Sequence, residues 1–160
     1  MNKEAKSTLI RRIKKPAESE VRQILDIQEK CHLSRWSESD YYEEGLRSHS
    51  IFLIAETEFQ IVGFMIVRIS QTEFTETEAD LLNFGVLPDF RRRGIGEGLY
   101  KTLRRKLLQL NVKKIWLEVR KSNENALRFY FGRGFQIVQS RKNFYSAPTE
   151  DGLLMKLEIG

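Results

Sequence analysis

One stretch of the sequence, Leu81 to Gly96, constrains the fold more than any other. It begins with an apolar run that ends at Leu87, is stopped by Pro88, and then crosses three consecutive arginines before two glycines. An apolar run, a turn and an amphipathic segment in this order predict a strand, a loop and a helix. The N–H groups at the start of such a helix, beside guanidinium groups, favour the binding of an anion.

The glycines of this loop form the pattern Arg91-x-x-Gly94-x-Gly96. A side chain at either glycine would fill the space that a phosphate needs against the backbone. The pattern lacks the Lys-Ser/Thr of nucleotide hydrolases and the third glycine of dinucleotide-binding proteins. A strand-to-helix turn with solvated arginines explains the same residues, so the pattern alone leaves both interpretations open.

The distribution of charge along the chain favours an anionic ligand. Residues 1–80 carry 11 basic and 15 acidic side chains, a balance of −4, and residues 81–160 carry 16 and 7, a balance of +9. The glycine loop lies in the basic half, whose field would attract a polyanion. The same charge would suit RNA, so a non-catalytic RNA- or ribosome-binding module is a second interpretation.

The remaining composition limits the class of protein. With 160 residues, 41% of them hydrophobic, the chain is expected to form a single domain, 1–160, with only residues 1–7 disordered. No apolar run approaches the roughly 20 residues that span a bilayer, and the first residues lack the apolar segment of a secretory signal. A cytoplasmic protein is therefore expected. The single cysteine, Cys31, and the two histidines, His32 and His49, show no metal-ligand spacing, so no metal is expected.

Hydrophobic periodicity predicts the other elements. Leu99, Leu103 and Leu107 recur at helical spacing after the glycine loop, and the predicted strand Ile115 to Arg120 completes a βαβ unit. The full predicted order is β, α, α, β, β, β, α, β, α, β, β. This order predicts an α/β protein with a mixed, mostly antiparallel sheet, one parallel βαβ unit at its centre and flanking helices.

Several boundaries are predicted from polar segments. Ser37 opens a capping-box pattern that predicts a helix running toward His49. The polar stretch Ser70 to Asp80 is predicted to be a loop between antiparallel strands. The last two strands are predicted at Phe135 to Arg141 and Leu153 to Ile159, with a polar loop between them.

Glu118 is the first of three polar residues whose positions suggest chemistry. It alternates with apolar residues on a predicted strand, and a partly buried carboxylate acquires a raised pKa, which suits a proton acceptor. A surface salt bridge to Arg120 or Lys121 is the other interpretation. Asn123 and Tyr130 are seven residues apart on the next helix, about two turns, so they lie on nearly the same face. A helix cap and a core tyrosine explain these two equally well when each is taken alone.

Three motifs taken together resemble a known family. They are Arg91-x-x-Gly94-x-Gly96 after Leu-Leu-Asn-Phe-Gly-Val, then Trp116-Leu117-Glu118-Val119-Arg120-x-Ser122-Asn123, then Ala126-x-x-x-Tyr130-x-x-x-Gly134-Phe135. In this combination they are similar to the GNAT superfamily of acetyl-CoA-dependent N-acetyltransferases, and within it to the RimI type, the ribosomal-protein-alanine N-acetyltransferases. The resemblance covers about Leu9 to Ile159.

The resemblance implies a GNAT-like fold, acetyl-CoA as the cosubstrate and no metal. It implies that Glu118 is the general base and Tyr130 the general acid, and that Trp36 and Tyr145 lie on the acceptor side. Strand backbone would bind the pantetheine arm, and the N–H groups of the glycine loop would bind the diphosphate. The residues implied to bind the cosubstrate are Phe84, Gly85, Val86, Arg91, Arg92, Arg93, Gly94, Ile95, Gly96, Glu97 and Asn123.

The resemblance also implies the acceptor. It would be the α-amino group of a protein, namely the N-terminal alanine of a small-subunit ribosomal protein, attacked directly in a ternary complex. A small-molecule amine and a lysine side chain are the alternatives within the family. An acidic cluster at Glu38, Asp40, Glu43 and Glu44 is predicted to attract a basic substrate tail.

The sequence departs from the family pattern at three places. Gly85 stands where alanine is common, Phe131 where a polar residue is usual, and Asn143-Phe144-Tyr145-Ser146 where the RimI type tends to show Asn-Tyr-Tyr-Pro. The first two departures should be tolerated. The third is predicted to lie near the acceptor, so it leaves the identity of the acetylated protein open.

Overall fold

The computed structural model describes residues 7–72 and 76–160, and its elements follow the predicted order. A short 3-10 turn, Pro88–Phe90, is the one addition in these ranges. Residues 1–6 of the segment predicted to be disordered lie outside the described residues. The strands are β1 Leu9–Arg12, β2 Ser50–Glu56, β3 Ile61–Gln71, β4 Thr77–Val86, β5 Val112–Arg120, β6 Gln136–Tyr145 and β7 Glu150–Glu158; the helices are α1 Glu18–Lys30, α2 Glu38–Leu46, α3 Ile95–Gln109 and α4 Glu124–Phe131.

The seven strands form one sheet in the order β1-β2-β3-β4-β5-β7-β6. Neighbouring strands are antiparallel except β4 and β5, which are parallel and are joined through α3. This pair occupies the middle of the sheet. The predicted mixed sheet with a central βαβ unit is therefore confirmed.

The two parallel strands separate half-way along their length. Their pairing runs from Thr77 opposite Val112 to Leu81 opposite Leu117 and then stops. Beyond that point β4 continues along β3, and β5 continues along β7. A register shift places Leu82 as an extra residue in β4, and such a bulge bends its strand. A gap therefore opens in the centre of the sheet.

Helices cover both faces of the sheet around this gap. Phe84 and Gly85 are adjacent in β4 and so point to opposite faces. The Phe84 ring lies against Gly96 at the start of α3, whereas a Cβ at Gly85 would meet Ile27 of α1. Helices α1 and α3 consequently pack on opposite faces. Strand β2 and most of β3 are buried on both sides as a result.

Two predicted boundaries were wrong because backbone pairing extends strands into polar sequence, and a predicted helix is slightly shorter than expected. In the stretch predicted as a loop from Ser70 to Asp80, β3 continues to Gln71 and β4 begins at Thr77, opposite each other; residues 73–75 lie outside the described ranges. Strands β6 and β7 likewise extend to a pairing of Tyr145 with Glu150. Helix α2 ends at Leu46, three residues before His49.

A buried ion pair joins α2 to β3. Glu44 is 2% exposed, and it accepts a hydrogen bond of 3.1 Å from Arg68 Nε and pairs with Arg47 at 3.2 Å. Burial alone would raise the pKa of the Glu44 carboxyl, but Arg68, a hydrogen bond from Ser50 and Arg47 together hold it below its usual range. Glu44 is thus neutralised, and the predicted acidic cluster is reduced to its other three members.

We predict that Arg68→Ala lowers the free energy of unfolding by about 2 kcal/mol at pH 7, because it removes the main charged partner of a buried carboxylate and leaves only Arg47 and Ser50. The exposed Lys30–Asp26 pair provides the control, since Lys30→Ala should leave the free energy of unfolding almost unchanged. A depressed carboxyl pKa stabilises the fold above its unfolded value of about 4.3. The Arg68→Ala deficit should therefore shrink as the pH falls toward 4 in urea titrations; a constant deficit would contradict it.

Candidate active site

The gap between β4 and β5 is bounded by elements that carry most of the predicted site residues. One wall is the segment of β4 beyond Leu81, which pairs with β3 and has no β5 partner. The other wall is the end of β5, which carries Glu118 one residue past the last paired position, Leu117. Helix α3 begins beside the first wall, and α4 follows the second. The sheet thus presents strand backbone, a helix start and a carboxylate around one opening.

The glycine loop leaves the start of α3 open to solvent. Gly94 is the N-cap of α3, with a left-handed φ of 78° and no side-chain cap. No atom lies within 4 Å of a Cβ built there, so Gly94 is required by backbone conformation and not by crowding. Exposed Arg92 and Arg93 precede it. The first N–H groups of α3, those of Ile95, Gly96 and Glu97, therefore suit an anionic group.

Gly96 allows close packing within the protein, and the expectation that it also makes room for a phosphate stays a prediction. A Cβ at this position would lie 3.3 Å from both Phe84 and Phe129. The rings of Phe84 and Phe129 pack against each other at a tilt of 48°, with centroids 5.2 Å apart. This contact joins β4 to α4 across the start of α3. The glycine therefore lets β4, α3 and α4 meet beside the gap.

Two other loop residues make structural contacts. Arg91 Nε donates to the carbonyl of Val86 at 2.9 Å, and its NH2 group lies 3.4 Å from the sulfur of Cys31. Glu97 pairs with Arg133, whose NH1 donates to the carbonyl of Phe129 at 2.8 Å. Arg91 thus fastens the loop to β4 and α1, and the Glu97 side chain fastens α3 to α4. The approach of Cys31 to β4 was not foreseen, because 55 residues separate the two in sequence.

Glu118 has one carboxylate oxygen that is buried and lacks a hydrogen-bond partner among the described residues. Its other oxygen lies 3.2 Å from the guanidinium of Arg141 on β6, and not against Arg120 or Lys121. Burial raises the pKa of the Glu118 carboxyl, and Arg141 offsets only part of that effect. The direction of this shift agrees with the expectation from the sequence, and one carboxylate oxygen has no partner among the described residues.

Tyr130 is buried on α4, with 7% of its surface exposed. Its ring packs edge-to-face on Phe129 at 5.7 Å and against Phe135 at 5.4 Å. Burial raises the pKa of the Tyr130 phenol, and Tyr145 adds to the increase. Asn123 is the N-cap of the same helix, and its Oδ1 accepts a hydrogen bond of 3.1 Å from the N–H of Ala126. Asn123 is therefore a helix cap and Tyr130 a buried core tyrosine, as the interpretation from local structure predicted for each residue alone.

Tyr145 brings the end of β6 into the site. Burial, and then the charge of Glu118, raise the pKa of the Tyr145 phenol to about 12. Glu118 acts on Tyr145 and Tyr145 acts on Tyr130, so Tyr145 lies within electrostatic reach of both side chains. Arg120 stacks 4.5 Å above the Tyr145 ring and donates to the carbonyls of Ser146 and Pro148. This anchoring role of Arg120 could not be predicted, because its partners lie 26 to 30 residues further along the chain.

Trp36 lies in the α1–α2 loop, half-buried, with its ring 5.2 Å from that of Tyr41. A surface depression of about 210 Å³ adjoins it and is lined by Trp36, Asp40, Glu43, Glu44, Arg47 and Arg68.

Among residues 7–72 and 76–160, no group of three His, Cys, Asp or Glu side chains could hold a metal ion. No helix in these ranges is long and apolar enough to span a bilayer.

We predict that Glu118→Gln is at least as stable as the wild type at pH 8. A carboxyl whose pKa is raised on folding stabilises the protein at low pH and loses that contribution as the pH rises through its folded value. Glutamine resembles the protonated form, so the advantage of the variant should vanish toward pH 4. The carboxyl of Glu150, whose pKa is lowered by hydrogen bonds from Ser122, is the matched control. Glu150→Gln should be destabilised at pH 8 in the same urea titrations, and a loss of stability in Glu118→Gln would contradict the account.

Comparison with known proteins agrees with this arrangement. The model of the acetyltransferase (GNAT) family matches residues 21–135. The [ribosomal protein bS18]-alanine N-acetyltransferase of Salmonella typhimurium is 35% identical over 136 residues, which cover 83% of this chain and 87% of the relative. The Escherichia coli K12 enzyme of the same name is 32% identical over 137 residues, with the same coverage.

Solved structures show the same fold. The crystal structure of the corresponding alanine N-acetyltransferase from Escherichia coli superposes with a TM-score of 0.81 at 26% identity, covering 96% of this chain and 95% of that one. Arabidopsis thaliana NAA60 in complex with acetyl-CoA gives 0.81 at 18% identity, covering 96% and 99%, a likeness of fold alone. The family model spans well over half of the chain, and the relatives exceed 30% identity over most of it. The chain therefore belongs to the GNAT family of N-acetyltransferases.

Proposed function

We propose that the chain transfers the acetyl group of acetyl-CoA to the N-terminal α-amino group of a protein, the N-terminal alanine of a ribosomal protein of the bS18 type. One observation carries this proposal most directly: the unpartnered, buried oxygen of Glu118 stands where β4 and β5 separate. Two relatives above 30% identity are named for this activity on bS18. Acceptors such as a lysine or a small amine are the alternatives that the test below separates.

The residues around the gap fit acetyl-CoA. The N–H groups of Ile95, Gly96 and Glu97, beside exposed Arg92 and Arg93, would hold the diphosphate. The segment Phe84 to Val86 would offer strand backbone to the pantetheine arm. Part of that backbone is engaged already, because the Phe84 N–H donates to Asn83 and the Val86 carbonyl accepts from Arg91. Asn123, with its Oδ1 used in the cap, would contact the cosubstrate through its NH2 group.

The proton chemistry favours an N-terminal amine. An α-amino group with a pKa of about 7.7 is about 15% neutral at pH 7, whereas a lysine with a pKa of about 10.4 is under about 0.1% neutral. Bound acetyl-CoA supplies an activated acetyl carbonyl as a thioester. The neutral amine attacks that carbonyl, the carbon–nitrogen bond forms as the carbon–sulfur bond breaks, and Glu118 accepts the proton that nitrogen loses. No nucleophilic side chain is needed, and Cys31 has no role in the transfer.

Tyr130 is proposed to act on the leaving thiolate. A phenol with an ordinary pKa near 10 gives its proton to a thiolate near 8.5 only at a cost of about 2 kcal/mol. Burial raises the pKa of Tyr130 further, so the phenol keeps its proton more firmly. We infer that Tyr130 stabilises the thiolate mainly by donating a hydrogen bond, with complete transfer of the proton as a later event.

Trp36 and Tyr145 would border the acceptor. We also propose that residues 1–160 act as one catalytic domain in the cytoplasm.

A peptide screen tests the acceptor. We expect peptides with N-terminal Ala to give the highest kcat/KM, above those with Ser or Met first. The matched control is the alanine peptide with a blocked N-terminus and an internal lysine, which should react at under about 1% of the rate because its amine is almost wholly protonated. Equal rates for the blocked and unblocked peptides would contradict the proposed specificity.

Kinetics of two variants test the roles of the reacting groups. Glu118→Gln should lower kcat by about 100-fold or more, because positioned general bases contribute factors of that size. Tyr130→Phe should lower kcat more than it weakens acetyl-CoA binding, since the hydrogen bond to the thiolate forms only during reaction. Glu158→Gln, whose carboxylate pairs with Lys156 at 3.0 Å near the opposite end of β5 and β7, is the control and should stay within two-fold. Equal losses of turnover and binding in Tyr130→Phe would remove its assigned role.

A further inference from the structure

A chain of buried side-chain hydrogen bonds joins the α1–α2 loop, proposed to border the acceptor, to strand β4, proposed to bind the cosubstrate. Its members are Gln28 of α1, Tyr41 of α2 and Asn83 of β4, which are 8%, 0% and 5% exposed. Tyr41 O–H donates to Gln28 Oε1, and Asn83 Nδ2 donates to the Tyr41 oxygen at 3.1 Å. Three neutral side chains from three elements thus form one continuous path through the core.

The path ends on one side at the backbone of Trp36. The N–H of Trp36 donates to Gln28 Oε1 at 3.1 Å, and Gln28 Nε2 donates back to the carbonyl of Trp36 at 3.1 Å. This reciprocal pair fixes both the side-chain amide and the peptide units around Trp36. The Trp36 ring in turn stacks on Tyr41. The end of the α1–α2 loop is therefore tied to the core through backbone groups.

The path ends on the other side at the bulge of β4. Asn83 follows the extra residue Leu82, and its Oδ1 accepts a hydrogen bond of 3.1 Å from the N–H of Phe84. Phe84 begins the part of β4 proposed to face the pantetheine arm, and its ring packs on Phe129 beside Tyr130. The orientation of the peptide unit that enters the gap thus depends on the Asn83 side chain.

Each member of the path has one orientation available. Gln28 Oε1 accepts two hydrogen bonds, so its Nε2 must face the Trp36 carbonyl. The Tyr41 oxygen accepts from Asn83, so its proton must point to Gln28. Replacing both partners of such a bond by apolar groups of the same shape is often nearly neutral for stability. What the network adds is therefore a defined geometry, more than a large free energy of folding.

A second contact presses the same loop onto β4. The Cys31 sulfur lies 3.3 Å from the carbonyl of Val86, and a Cβ at Gly85 would lie 2.9 Å from Cδ1 of Leu33. The loop between Cys31 and Trp36 therefore touches β4 at Gly85 and Val86 and is bonded to it through Asn83. The position of this loop relative to β4 is therefore fixed at its start, by Cys31 and Leu33, and at its end, by Trp36.

We propose that Gln28, Tyr41 and Asn83 are positioning residues that hold Trp36, on the acceptor side, in register with the segment of β4 that holds the thioester. The inference rests on the proposed function. Attack requires the amine nitrogen and the carbonyl carbon to approach within about 3 to 3.5 Å, and a misplacement of about 1 Å can cost about 100-fold in rate. A rigid link between the α1–α2 loop and β4 keeps the two reacting atoms at that distance.

The first test compares two tyrosines on α2. Tyr41→Phe removes only the hydroxyl that connects Gln28 to Asn83, and it should lower kcat/KM for the alanine peptide about 10-fold, with acetyl-CoA affinity within two-fold. Among the described residues, the glycine loop, which would hold the diphosphate, has no side-chain hydrogen bond to Gln28, Tyr41 or Asn83. Tyr42→Phe is the control, since the Tyr42 hydroxyl has no hydrogen bond within the described residues, and it should behave as the wild type. Equal kinetics for the two variants would overturn the proposal.

A double-mutant cycle tests whether the path acts as a unit. Gln28 and Asn83 do not bond to each other, so independent residues would give multiplying effects in Gln28→Leu and Asn83→Leu. We expect each single variant to lower kcat/KM about 10-fold and the double variant to lower it by little more than either. In a Tyr41→Phe background the two substitutions should have almost no further effect. Effects that multiply to about 100-fold would contradict a shared positioning role.

Amide hydrogen exchange provides a readout independent of activity. Tyr41→Phe should speed exchange at the N–H groups of both Trp36 and Phe84 by about 10-fold. Each of these N–H groups donates to a side chain that the Tyr41 hydroxyl holds in place. Tyr42→Phe should leave both unchanged. Wild-type protein that acetylates no N-terminal peptide would refute the proposed function, whereas unchanged exchange at both amides in Tyr41→Phe would refute the positioning path itself.

Discussion

The separation of two parallel strands is the constraint on which the rest of the structure depends. A continuous sheet would satisfy the backbone groups of β4 and β5 along their whole length, but here the pairing ends at Leu81 and Leu117. The bulge at Leu82 bends β4 away, and each strand keeps its outer neighbour. The cost of leaving one strand edge without a partner is limited, because the edge faces an opening and not the packed core. That edge becomes a place where a ligand can add hydrogen bonds.

Burial then adjusts the chemistry of the groups that surround the opening. Glu118 emerges just past the point of separation, so one of its oxygens is buried without a partner and the pKa of its carboxyl is raised. Tyr130 and Tyr145 are held in their neutral forms by the same loss of solvation. A carboxylate with a raised pKa and a firmly protonated phenol, Tyr145, therefore lie within electrostatic reach of each other, and Tyr145 is also within reach of Tyr130. A fully solvated cleft would give these groups ordinary pKa values and weaker hydrogen bonds.

The fold and much of the site could be predicted because local signals agree with tertiary structure there. The apolar run, Pro88 and the two glycines specify strand, loop and helix, and the alternation around Glu118 correctly places its side chain opposite the buried Leu117 and Val119. What failed depended on distant partners. The extension of β3 and β4 into polar sequence follows from pairing, and the partner of Glu118, Arg141, comes from a strand two positions away in the sheet.

The glycines show the same limit in another form. The sequence predicts that Gly94 and Gly96 both make room for a phosphate, and the structure adds two further requirements: Gly94 adopts a positive φ, and Gly96 lets Phe84 pack on Phe129. Neither reason is visible without the third dimension. The buried path from Gln28 to Asn83 also could not be predicted from the sequence, because its members are spread over 55 residues and none is charged.

The central claim is that the opening between β4 and β5 binds acetyl-CoA, and backbone amide exchange with and without CoA tests it most directly. The account predicts slower exchange in two separate segments, 84–86 at the unpaired edge of β4 and 94–98 at the start of α3, under conditions where calorimetry shows the ligand bound. Protection confined to the exposed basic face of α3, with no change in either segment, would contradict it.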